Sequence, residues 1–254
     1  MGSLPPTPYN VAMRRLLLGL LLLAATVAAQ GDLKIHVTWE GPLPKRQPLT
    51  IPDLVKQRSP ADAAFCQKCI DEKTLFDERI VVDEKSRGLR DVAVLVAGPA
   101  PGKGARLPAG TLDNRKCRFH PRVQFVPLAS KLTVKNSDRI THNARILGRG
   151  GRQFWNGIIP AGKAVQTYTI PVGGTYHVVC DVHPWMEAWF IGTKSPWAGV
   201  SSADGTVALR KIPTEEEISI HLWHPTLGSA HLKTRLAPDA ETLKRLTQKD
   251  FRKR

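Results

Sequence analysis

Apolar and polar residues alternate with a period of two along much of this chain, the spacing of half-buried strands rather than of helices. Asp32 to Glu40 (DLKIHVTWE) is the clearest case. Ile80 to Asp83 and Asp91 to Ala97 (DVAVLVA) are short β-branched runs, and VQFVPL and KLTVKN follow between Val123 and Asn136. AVQTYTI (Ala164 to Ile170) alternates, a Pro171 to Gly174 turn intervenes, and YHVVC and Trp189 to Gly192 read as further strands. Beyond Ser195, Ala203-Asp204-Gly205 marks a turn between short strands, and ISIHLWH is another strand. Residues 41–64, with several prolines, read as an irregular connection. Only the tail, 233–254, reads as a basic helix starting near Asp239 or Ala240. Many short strands punctuated by Gly and Pro predict a mainly β protein of sandwich architecture.

The N-terminus changes that picture by one segment. Arg14 and Arg15 precede an apolar run from Leu16 to Val27, and small residues at Val27-Ala28-Ala29 complete the pattern of a secretory signal over 1–29. The run is short for a spanning helix, so an exported protein, periplasmic or extracellular, with no transmembrane segment after cleavage is expected. The 254 residues carry a net charge of +15, and the signal takes two Arg and no acid with it, leaving +13. Such a balance favours an acidic partner protein, and export argues against nucleic acid.

The chemistry is concentrated in CDVHPWM, which sets Cys180, His183 and Met186 three positions apart, and in His142 of NSDRITHNA upstream. A thiolate, two imidazoles and a thioether are soft donors that suit copper, and two His with one Cys and a weak axial Met form a blue-copper electron-transfer centre. A tight loop cannot surround an ion, so the fourth donor must come from another segment, as His142 would. Asn143 is a candidate to support the ligands from behind, and Phe154, Trp155 and Trp185 are candidates for a dry wall.

These two segments resemble the plastocyanin/amicyanin-like type 1 (blue) copper proteins, the cupredoxins. The resemblance spans 121–194 and implies a Greek-key β-sandwich, one type 1 copper held by His142, Cys180, His183 and Met186, and electron transfer through the ligand His nearest the surface. SPWAGVSSADGTVALRKIP and LWHPTLG resemble a carboxypeptidase-regulatory-like β-module over 195–232. The segment 30–120 is expected to pack on or complete the sandwich. DLKIHVTWEG and DVAVLVAG are candidates to complete the module instead, with the copper domain as an insertion.

Three cysteines remain. A disulfide from Cys66 or Cys69 to Cys117 competes with a zinc site of Cys66, Cys69, Cys117 and His120, and export favours the disulfide. His36, His177, His221, His224 and His231 have no ligand-type neighbours in the sequence and are assigned no role. No nucleophile–base pattern, paired carboxylates or phosphate loop stands out, so the expectation is an electron carrier rather than an enzyme. The alternatives are a non-redox envelope or carbohydrate-binding β-protein, or an accessory subunit of a copper enzyme.

Overall fold

The computed structural model describes residues 29–98 and 106–253. The signal segment expected at 1–29 lies, but for Ala29, outside the described residues. No helix among the described residues is long and apolar enough to cross a membrane.

The described chain opens with β1 (Gln30–Thr38), passes two helices, α1 (Asp53–Arg58) and α2 (Pro60–Asp71), and reaches β2 (Ala93–Ala97). Next come β3 (Thr111–Asn114), β4 (Phe119–His120), β5 (Val123–Pro127), β6 (Thr133–Asn136) and β7 (His142–Leu147). After β8 (Gln153–Ile159), β9 (Ala164–Gln166), β10 (Gly174–Val179) and β11 (Glu187–Thr193), the last strands are β12 (Ala198–Val200), β13 (Thr206–Pro213), β14 (Ile218–His224), β15 (Gly228–Thr234) and β16 (Glu241–Thr247).

These strands form two sandwiches. The first faces a five-stranded sheet, β5-β11-β10-β7-β8, with a four-stranded one, β4-β3-β6-β9. Phe119, Leu132, Ile146, Ile159, Met186 and Phe190 lie in the core between them. Because β3 and β4 belong here, this sandwich begins before residue 121, where the motifs place its start. The second sandwich pairs β13-β1-β16 with β12-β2-β14-β15. In β1 the alternation that marks the sequence is realised: Leu33, Ile35 and Val37 are buried, while their neighbours face outward. The first and last described strands thus share one sheet, and the first sandwich is inserted between β2 and β12.

Two expectations are corrected. The tail is not a helix: β16 runs parallel to β1 from Asp32↔Glu241 to Thr38↔Thr247. Thr242, Lys244 and Leu246 are half-buried and alternate with exposed Glu241, Leu243 and Arg245, so the true period is two. Its Lys and Arg lie along an edge strand, where charge discourages further strand addition. The stretch 41–64 is not wholly irregular either. Pro60 sits in the first turn of α2, where its missing N–H costs nothing, and Ala63 and Cys66 bury one face. The Ala203-Asp204-Gly205 turn, with Gly205 at φ +80°, leads from β12 in one sheet to β13 in the other and so forms a corner.

Candidate metal centre

The first sandwich brings two distant segments to one end. His142 is the first residue of β7, and Cys180 follows the last residue of β10, the strand paired with β7. The loop after Cys180 folds back on itself: Cys180 N–H donates to Met186 O at 3.2 Å and Met186 N–H to His183 O at 2.9 Å. The sequence Asp181 to Met186 therefore closes within one turn, which places Cys180 and His183 on the same side.

His142, Cys180 and His183 are buried and present one ligand atom each, all within 4.8 Å of one another. The Nδ1 atoms of His142 and His183 face each other at 3.0 Å, and Cys180 Sγ lies 3.6 Å from His183 Nδ1. Three donors arranged trigonally around an ion with bonds of about 2.0 Å sit about 3.5 Å apart, so this cluster is near the size an ion requires. Met186 is buried in the core that holds Cys180. Phe154, Trp155 and Trp185 pack against that core.

The surroundings fix the orientation of His142. His142 Nε2–H donates to Asp138 Oδ2 at 3.0 Å, which turns Nδ1 towards the cluster. Asp138 in turn accepts the backbone N–H groups of Lys116 (2.6 Å) and Cys117 (2.9 Å). Burial works against the charge on Asp138, but the hydrogen bonds from His142 and these two amides hold its carboxyl below the ordinary range. Burial likewise opposes protonation of His142, yet the partnership with Asp138 and Cys180 holds it above its usual value. Burial also penalises a Cys180 thiolate, and the hydrogen bonds from His142 and His183 outweigh that and bring the thiol down to about 6.

Asn143 joins the two segments. Its Oδ1 accepts from Asp181 N–H at 2.7 Å and from the Cys180 thiol at 3.3 Å, and its Nδ2 donates to Asp181 Oδ2 at 2.8 Å.

The cluster is closed from above. Neither imidazole reaches the surface: His142 and His183 are both 0% exposed. The connection between β1 and β2 supplies the cover. Asp62 of α2 brings its carboxylate to 4.0 Å from His183 Nε2, a buried nitrogen that has no hydrogen bond of its own. Cys66 of α2 is joined to Cys117 by a disulfide with Cα atoms 5.8 Å apart. Cys69 is a free, buried thiol, so a zinc site of Cys66, Cys69, Cys117 and His120 is not formed. Trp185 Nε1–H donates to Cys117 O at 3.2 Å, and the Trp185 ring lies against His183 with centroids 5.3 Å apart. Trp185 and Met186 also line a cavity of about 330 Å³ that opens to solvent beside Phe76 and Arg118.

Sequence reasoning missed Asp138 and Asp62. Asp138 had a local signal, lying four residues before His142 in the polar turn NSD; Asp62, eighty positions from the nearest of the four donors, had none.

No protein-family model matches the sequence, and no curated protein matches it either. Among solved structures, the chain is similar to the Cu-containing nitrite reductase NirK from Thermus scotoductus SA-01 (18% identity, 39% of this chain, TM-score 0.32) and spans 25% of that longer chain. It is similar to a purple cupredoxin from Nitrosopumilus maritimus (18% identity, 33% of this chain and 99% of that one, TM-score 0.30). A reduced Cu(I) form of an amicyanin variant is a third (19% identity, 39% and 98%, TM-score 0.31).

Proposed function

We propose that this chain is an exported electron carrier in which His142, Cys180 and His183, with the Met186 thioether beside them, would hold one type 1 copper ion. One observation carries the reading: two imidazole nitrogens and a thiol of lowered pKa converge in a buried cluster, with one imidazole oriented towards it by Asp138. That donor set fits a soft, redox-active ion better than zinc or a hard cation.

When bound, copper supplies a one-electron couple at the thiolate. The protein's own part is to hold the donors still. Asn143 pins the Cys180 loop to β7, Asp138 orients His142, and the packed core around Met186 keeps water out. A site that need not rearrange between oxidation states exchanges electrons quickly. The closed shell around both imidazoles favours carriage over turnover of a substrate. The Cys66–Cys117 bond supports an oxidising compartment. With both imidazoles covered, the route outward runs through Trp185, which touches His183 and lines an open cavity. The positive balance of the chain favours an acidic redox partner that docks transiently.

The test is optical. Copper-loaded protein should show an intense visible absorption from the thiolate, with one reversible redox step, and Cys180→Ser should abolish the band. A colourless copper-loaded protein would sink the proposal.

A further inference from the structure

Strands β14 and β15 form a hairpin in which His221 stands directly opposite His231. Ile220 and Leu222 of β14 and Ala230 of β15 are buried in the second sandwich, so the two histidines share its outer face and are exposed. Their rings are nearly perpendicular, with centroids 4.7 Å apart, and their Nδ1 atoms face each other at 2.7 Å.

We propose that His221 and His231 form a surface site for a divalent transition-metal ion, Cu(II) foremost. Two imidazole nitrogens bound side by side to one ion, at about 2.0–2.1 Å each, lie about 2.9 Å apart. The observed spacing is short of that by a few tenths of an ångström, within the reach of a small ring rotation. Without an ion, a single proton shared between the two nitrogens holds them together; an ion would take the proton's place. The backbone is prepared as well, because β14 is a central strand between β2 and β15 and carries His221 on a fixed register. Donors held on neighbouring strands lose little freedom on binding.

Burial and the neighbouring His231 keep His221 below the usual imidazole range, which disfavours a charged ring beside an incoming cation. Ser219 and Trp223 on β14, and Ser229 and Lys233 on β15, share the outer face. Among these Lys233 is the one charged group, a like charge that keeps the site moderate in affinity. With two nitrogen donors and no sulfur, the remaining positions fall to water, and the order of stability among divalent ions places Cu(II) above Ni(II), Co(II) and Zn(II). Such an open, labile site differs in kind from the buried cluster of His142, Cys180 and His183, and it does not depend on how that cluster is read.

The experiment is a Cu(II) titration of the full chain followed by electron paramagnetic resonance and calorimetry, run on the unaltered protein and on Cys180→Ser. Both should bind one equivalent with a tetragonal nitrogen-ligated signal that carries no thiolate absorption, and the unaltered protein should bind a further equivalent, at the buried cluster, that does. His221→Ala and His231→Ala should each weaken the nitrogen-ligated equivalent at least tenfold, and the double variant should fall no further, because two donors of one site act together. Far-ultraviolet circular dichroism of the variants should match the parent, and Thr234→Ala on the same hairpin should leave binding intact. Absence of this equivalent, or its survival in the single variants, would overturn the proposal. Loss of the visible band with the equivalent retained would count against the buried copper centre alone.

Discussion

Asp138 and His142 are joined by a 3.0 Å hydrogen bond from imidazole to carboxylate, and the same carboxylate takes the amides of Lys116 and Cys117. The residue that orients a ligand is thereby tied to the disulfide loop that anchors the covering helix. Removing the carboxylate frees the ring without touching a donor. Asp138→Ala is expected to weaken copper binding by about 10–100-fold. A competition titration against a chelator of known affinity reads this; a change under threefold would mean that packing alone orients His142.

Trp185 is the aromatic group that connects buried His183 to an open cavity. Trp185→Leu keeps apolar bulk but removes the ring and its bond to Cys117 O. Electron exchange with a small inorganic reductant should slow about tenfold in stopped-flow, while the visible band and the potential stay in place. An unchanged rate would send the electron by another path.

The Cys66–Cys117 bond closes a loop across 51 positions. On the chain-entropy account such a loop stabilises by about 4 kcal/mol. Replacing both cysteines with Ala should lower the unfolding free energy by roughly 2–4 kcal/mol in a denaturant titration. The cover over His183 should also loosen, visible as faster amide exchange in α2. Slow exchange retained in α2 would show that its apolar contacts suffice.

His224 is buried, and its Nδ1 accepts the amides of Thr226 (3.1 Å) and Leu227 (3.3 Å). Burial, reinforced by the charge of Arg122, pushes its pKa down to about 3. The unfolded chain binds that proton from about pH 6.5 downward while the folded one refuses it. Stability is therefore full above pH 6.5 and falls with acid until about pH 3. Of order 2 kcal/mol should be lost through this residue between pH 7 and pH 5. His224→Asn keeps an acceptor for the two amides and should flatten that part of the profile; an equal slope in the variant would assign the acid sensitivity elsewhere.

What was legible in the sequence was what depends on spacing. Cys180, His183 and Met186 are local, and the NSD turn marks His142, so the cluster could be assembled without knowing the strand order. The strands of β1, β2 and β14 show because one face of each is buried. Three things were hidden. The α2 segment is too poor in large apolar residues to declare a face, and its place over His183 comes from Cys66 reaching Cys117. In β16, basic residues at mixed spacing imitate a helix, and only pairing with β1 sets the period at two. The cover over both imidazoles is a relation between Asp62 and His183, 121 positions apart, which no local pattern carries.

The pairing of β1 with β13 and β16 also orders events in time. The inserted sandwich, from β3 to β11, has all its strands available once residue 193 has left the ribosome, so His142, Cys180 and His183 can come together first. β1, made before any of them, can reach only the short bridge of Thr38 to Gly88 until its ladder partners, residues 206–213 and 241–247, are synthesised. Contacts of such long range are slow to form. Until they do, Leu33, Ile35 and Val37 lack the later strands that complete the core around them.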